Sequence, residues 1–140
     1  MRRGHWWLDD LGVTNALVPG SCQTIGAGPP PIPDTMRASR SGTSVAITWD
    51  ATQCPAAAVN VYRGALGAYA AFNGGSCGLA PSGSATIPMP NNTWFLVAAT
   101  DGASTDGSYA KGVTGNELFY AGASSACPAI TAHVTNNACP

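Results

Sequence analysis

Hydrophobic and polar positions alternate along this chain in short runs set between turn residues. Residues 94–99 read Trp-Phe-Leu-Val-Ala-Ala, with Pro90-Asn91-Asn92 before them and Asp101-Gly102 close behind. So short an apolar run, with a Pro before and a Gly after, predicts a strand buried near the middle of a β-structure rather than a helix. With a period of two, Phe95, Val97 and Ala99 share one side while Trp94, Leu96 and Ala98 share the other, so one set can line a core between two sheets. Residues 44–49 repeat the pattern, with Val45, Ile47 and Trp49 inward against Ser44, Ala46 and Thr48. Residues 59–63 supply the next strand with Val59 and Val61, after a loop at 50–57 that holds Cys54-Pro55. An edge strand is expected at 35–40, a short one at 68–72, another at 83–88 and a last at 116–120. The stretch after Gly102 reads as a long turn. Seven short strands, about ten to fifteen residues apart and separated by turn chemistry, predict an all-β, two-sheet sandwich.

Composition agrees. Seventeen Gly and eleven Pro among 140 residues suit short strands and many turns, within one small domain and its tails. Six basic and seven acidic residues leave a net charge of −1, so no basic face exists to hold a phosphate backbone. Nucleic acid is excluded as a partner on that ground. No run is long enough to span a membrane as a helix. A low-charge surface rich in Ser, Thr, Asn and Gly, together with five Cys, points to a secreted or cell-surface protein with disulfides. Zinc is the competing use of cysteine, but no Cys-x-x-Cys pair occurs and His5 and His133 lie far apart. The start, Met-Arg-Arg-Gly-His-Trp-Trp, carries no apolar signal region. The chain is therefore expected to be the C-terminal part of a longer secreted or surface protein, or a reading frame whose true start lies upstream.

Taken in order, the chain divides into an N-terminal strand at 1–14, a Pro-rich linker at 15–33, a sandwich at 34–121 and a tail at 122–140. Gly4, Trp6, Trp7, Leu8, Asp9, Asp10 and Leu11, with His5 inserted, resemble the last strand of the jelly-roll modules of secreted bacterial proteins, among them MAM-like and immune-inhibitor-A-like domains. That resemblance implies an interaction strand bearing Trp6, Trp7, Leu8 and Leu11, unsupported, packed on the following domain, or paired with another chain through its open edge. An apolar arm folded on its own domain is the alternative. The run Pro29-Pro30-Pro31-Ile32-Pro33 favours a stiff polyproline II spacer, with a ligand for an aromatic-groove domain as the lesser reading.

Three segments carry a second resemblance: Val45-Ala-Ile-Thr-Trp49-Asp50, Val59-Asn-Val-Tyr62-Arg63 and Phe95-Leu-Val97-Ala-Ala99-Thr-Asp101-Gly102. They are similar to strands B, C and F of a fibronectin type III domain, over roughly residues 33–120. The likeness implies a seven-stranded immunoglobulin-like sandwich with Trp49 between the sheets and Val45, Ile47, Val59, Val61, Phe95, Val97 and Ala99 in the core. More narrowly, the ending Gly-x-x-Ser-x-x-Cys…Cys-Pro at 122–140 resembles a disulfide-bearing C-terminal module of multidomain secreted bacterial proteins. One departure is Phe95, which has no hydroxyl for the corner bond of a Tyr. Pairing by position then joins Cys54 with Cys77 and Cys127 with Cys139, leaving Cys22 to join a Cys upstream of this sequence, another chain, or nothing.

No catalytic set emerges. A nucleophile with a neighbouring base would need His5 or His133 beside a Ser or Cys, and no Gly-x-Ser-x-Gly elbow is present. Asp101, Asp106 and Glu117 offer oxygen ligands for Ca²⁺ without EF-hand spacing, and Asp101-Gly102 is more simply a turn. Glu117 with Asp106 makes a still weaker glycosidase pair. Trp6, Trp7, Tyr69, Trp94 and Tyr109 could form an aromatic platform for sugar rings, and Asn91-Asn92-Thr93 has the pattern of a glycosylation acceptor. The expectation is a non-catalytic structural, adhesion or assembly module with no cofactor and no metal. Its partners would be proteins or neighbouring domains. A fibre or complex subunit joined by its N-terminal strand and a glycan-binding module are the alternatives.

Overall fold

The computed structural model describes residues 28–68, 71–109 and 126–135. They form eight strands: β1 (Arg37–Ser41), β2 (Ser44–Thr48), β3 (Ala58–Ala65), β4 (Gly74–Leu79), β5 (Ser84–Pro88), β6 (Thr93–Thr100), β7 (Thr105–Asp106) and β8 (Ala132–His133). One sheet has the order β1-β2-β5 and the other β4-β3-β6-β7-β8. The protein is all-β, built from two sheets. Every pairing is antiparallel except β7 with β8, which is parallel.

The longest ladder joins β3 to β6, from Ala58 opposite Thr100 to Ala65 opposite Thr93. This register sets Val59 beside Ala99 and Val61 beside Val97. A slip by one residue would turn both apolar sets to the wrong side, which is why the pairing is so strongly specified. Between the sheets lie Val45, Ile47, Trp49, Val59, Val61, Ile87, Met89 and Val97, with Phe95, Leu79, Ile32 and Met36 packed around them. Ala99 is buried as well. Each such aliphatic side chain contributes about 1.5–3 kcal/mol on leaving water.

The outer face of the larger sheet is not left to solvent. Tyr62, Phe72, Ala98, Tyr109, Cys127 and Ile130 form a second buried cluster, with Trp94, Leu96 and Ala126 packed against it. Thus β6 is covered on both sides, Val97 serving the inner core and Ala98 the outer one. Gly64 makes room for this layer, since a Cβ there would stand 2.6 Å from the Trp94 ring and from the Ala71 carbonyl oxygen. The Pro run lies against the far end of β6, beside Gly107, whose amide donates to the Ala99 carbonyl at 2.8 Å. Pro29 and Pro33 are buried, and the carbonyls of Pro29 and Pro30 approach Gly107 so closely that a Cβ would meet them at 2.8 and 2.7 Å.

Several strand expectations need correction. The first strand begins at Arg37 rather than 35, because Asp34-Thr35 form a turn and the Met36 amide donates to the Pro33 carbonyl at 3.2 Å. No strand runs through the described part of 68–72: Ala71 makes only an isolated bridge, and Phe72 is drawn into the outer cluster. The strand in that region is β4, in the Gly-rich passage that follows. The long turn after Gly102 contains β7, and the tail contains β8. The strand expected at 116–120 and the N-terminal strand at 1–14 lie outside the described residues.

Candidate functional site

Among the described residues, the most polar buried place is beneath the tail, on the outer face of the larger sheet. Asn60 and Tyr62 are two residues apart on β3 and therefore point to the same side, away from Val59 and Val61. Asp106 ends β7 opposite Thr100, and His133 on β8 is its partner on the other side. The Asp106 side chain is wholly buried. Its Oδ1 accepts a hydrogen bond from Asn60 Nδ2 at 2.8 Å, and its Oδ2 accepts from Tyr109 Oη at 2.9 Å and from Tyr62 Oη. Asn60 in turn accepts from the Gly78 amide at 2.8 Å, which ties β4 into the same network. The His133 ring stacks on Tyr109 with centroids 4.0 Å apart.

Burial pushes the Asp106 carboxyl above its ordinary value, against the hydrogen bonds from Tyr62, Tyr109 and Asn60 and the nearby His133, which favour the charged form. Burial also raises the Tyr62 phenol, and the Asp106 carboxylate adds to the effect through its hydrogen bond and its charge. Such a Tyr is a donor and not a base. The carboxylate is thus enclosed by groups that donate hydrogen bonds to it, tying β3, β7 and Tyr109 together.

Asp101 does a different job. Its Oδ1 accepts the amides of Ala103, Ser104 and Thr105 at 2.8, 2.9 and 3.0 Å, closing the loop between β6 and β7. Those backbone hydrogen bonds, led by Thr105, hold its carboxyl down at about 2. Gly102 turns the chain with φ +79°. Asp101 and Asp106, considered together from the sequence as calcium ligands, are engaged separately: one caps an exposed loop and the other is buried among phenols. Among the described residues, no group of three or more His, Cys, Asp or Glu is placed to hold a metal.

The tail reaches this site from above. Thr131 and Ala132 amides donate to the Ser104 carbonyl at 2.8 and 3.1 Å, and the Val134 amide donates to the Asp106 carbonyl at 2.9 Å. Ile130 is buried over the sheet. A disulfide joins Cys77 on β4 to Cys127 at the start of the described tail, with the Cα atoms 5.7 Å apart and a sequence separation of 50. On loop entropy alone a closure of this length contributes about 4 kcal/mol. The pairings Cys54–Cys77 and Cys127–Cys139 are therefore corrected. Positional proximity favoured short loops, but Cys77 projects over the outer face, where the tail lies. Two features bring it there. The β3–β4 register is irregular between Val59 and Val61, so that Cys77 and Gly78 stand against Asn60 alone, and Gly78 takes φ +65°. Gly75 lets Cys127 approach, since a Cβ there would be 3.1 Å from its sulfur. Cys54 is also disulfide-bonded and is buried. Cys22 and Cys139 lie outside the described residues.

Of the aromatic residues considered for sugar binding, Tyr109 is buried and Trp94 is half-buried and packed on Phe72, ring centroids 5.5 Å apart. Neither presents an open face as part of a flat platform. Trp6, Trp7, Leu8, Leu11, Tyr69 and Glu117 lie outside the described residues. Asn91 sits in an exposed turn, where its Oδ1 accepts from Arg40 at 2.8 Å. Comparison with family models, with curated proteins and with solved structures finds no match to this chain. Among the described residues, no helix is long and apolar enough to cross a membrane.

Sequence reasoning missed the Asp106 network. Two signals pointed to it: Asn60 interrupts an otherwise apolar strand on the side shared with Tyr62, and Trp94, Leu96 and Ala98 put apolar surface on the side of β6 left over after the core was filled. An apolar strand on both faces needs a cover on both faces.

Proposed function

We propose that this protein is a non-catalytic, disulfide-stapled sandwich module of a secreted or cell-surface protein, with a structural, adhesion or assembly role. The carrying observation is that the polar interior site formed by the described residues is filled from within: Asp106 is occupied by Asn60, Tyr62 and Tyr109 and roofed by a covalently held tail. Buried phenols and a carboxylate in mutual hydrogen bonds fix a structure, and two cystine-forming sites fit an oxidising compartment. The fibronectin type III-like reading is supported by the strand order. β1-β2-β5 faces a sheet in which β3, β6 and β7 are neighbours, as strands A, B and E face C, F and G in immunoglobulin-like sandwiches.

The test is where the protein resides and whether it is inert. Expressed with export, the chain is expected in the extracellular or surface fraction with its cystines formed, and silent against panels of ester, glycoside and peptide substrates. Turnover of any of these that Asp106→Asn abolishes would overturn the reading.

Assembly through a strand edge is a second reading, favoured by β1. This edge strand of the three-stranded sheet is exposed at all five residues. Such an edge can receive a strand from another chain. Light scattering should then show an oligomer that deletion of residues 4–14 dissolves, and a monomer at high concentration would sink the idea.

A further inference from the structure

We propose that the Cys77–Cys127 cystine is a reducible latch, opened by a dithiol reductant, whose opening lifts the tail at 126–135 off the outer face of the larger sheet. The two sulfurs have unequal surroundings. Cys77 is exposed on an edge strand, while Cys127 is buried against the sheet. A cleft of about 230 Å³ opens beside the bond, lined by Cys77 and Cys127 together with Gly78, Thr100 and Ile130. An incoming thiolate therefore reaches the Cys77 side. In the other cystine Cys54 is only 4% exposed, so its own sulfur offers a thiolate no such approach.

The chemistry balances as ordinary thiol–disulfide exchange. A thiolate of the reductant attacks Cys77 Sγ and forms a mixed disulfide there. The bond to Cys127 breaks, and Cys127 leaves as a thiolate that takes a proton. The second thiol of the reductant then attacks the mixed disulfide and departs as its own internal disulfide, leaving Cys77 as a thiol. Two electrons and two protons pass from the dithiol to the cystine.

Among the described residues, what holds the tail besides the cystine is slight. Its ladder to β7 is two residue pairs long, its largest buried apolar anchor is Ile130, His133 stacks on Tyr109, and the amides of Thr131, Ala132 and Val134 donate to the Ser104 and Asp106 carbonyls. Without the cross-link the docking equilibrium loses the advantage of a tethered end, and local opening separates from global unfolding. The consequence is a switch: Asp106 and the Tyr62, Phe72 and Tyr109 rings lie covered in the oxidised protein and open to solvent in the reduced one.

The full chain is titrated with dithiothreitol, thiols are trapped by alkylation and located by peptide mass, and backbone hydrogen exchange is followed at each step. Expected is alkylation of Cys77 and Cys127 at reductant levels that leave Cys54 blocked, with the Thr131, Ala132 and Val134 amides exchanging at least about tenfold faster while β2 and β3 stay protected. The Cys77→Ser/Cys127→Ser double variant should show the fast tail exchange without reductant. Cys54 alkylated as early as Cys77, tail amides still protected after reduction, or β2 and β3 losing protection together with the tail would each overturn the proposal. If the double variant does not fold, the titration of the unaltered chain decides alone.

Discussion

Asp106 is the residue whose loss the fold should feel most. Replacing it by Ala leaves Asn60 Nδ2, Tyr62 Oη and Tyr109 Oη buried without their acceptor, and should cost about 3 kcal/mol in denaturant unfolding. Tyr62→Phe removes one donor and keeps two, so about 1 kcal/mol is expected from the same measurement. Acid titration separates Asp106 from Asp101. The folded-state pKa of Asp106 is raised, so its ionised form weighs against the fold, and that burden lifts as pH falls through the raised value. Asp101 is lowered from 3.8 to about 2, so its stabilisation is complete above the ordinary carboxylate value and is lost as pH falls toward 2. Asp101→Asn should lower stability at neutral pH, where the ionised carboxylate contributes, and flatten the pH dependence between those two values, and thermal melts from pH 7 to 2 check it. At this scale the sequence was legible where a residue obeyed its local rule. Asp101-Gly102 read as a turn and is one. Asp106 was legible only as a carboxylate in a Gly-rich stretch, because its partners come from 44 and 46 residues away.

Among the elements, β6 and β2 were plain from alternation alone, since a period of two with one apolar side leaves little choice of orientation. β4 was not. Its sequence, Gly-Gly-Ser-Cys-Gly-Leu, has no alternating pattern and low strand propensity, and it is held as a strand by pairing with β3 and by the cystine. The two-residue strands β7 and β8 are beneath the reach of any periodicity argument, being created by tertiary contact. The small residues that let elements approach give a direct check. Gly64→Ala places a methyl 2.6 Å from the Trp94 ring and the Ala71 carbonyl. The resulting displacement should cost about 2 kcal/mol in thermal or denaturant unfolding. By contrast, Gly42→Ala meets nothing within 4 Å and is disfavoured only through its φ of +59°, so about 1 kcal/mol is expected.

For the whole molecule, the division into two sheets around Trp49 was legible, and the second layer was not. A sandwich was inferred from the inward sets of β2, β3 and β6, which need only neighbours in sequence to be recognised. The outer layer depends in part on the tail, whose described apolar content is slight: Ile130 and Cys127 cover it, and a disulfide from β4 fixes Cys127 there. Removing residues 126–140 should therefore expose Tyr62, Phe72, Leu96 and Ala98 without dismantling the inner core. The truncated chain is expected to bind an apolar dye such as ANS and to self-associate, with β2 and β5 amides still protected from exchange. Loss of that protection would show instead that the two layers fold as one unit.

The parallel pairing of β7 with β8 also bears on how the chain is made. The segment that roofs the outer face is synthesised after everything it covers, so a polypeptide emerging in order shows bare aromatic rings until Val134 has followed. During that interval Cys77 waits for a partner not yet translated while Cys54 stands nearby on the same chain. Correct cystine formation thus needs Cys77 to stay reduced, or to be freed again by thiol exchange, until Cys127 has followed 50 positions later.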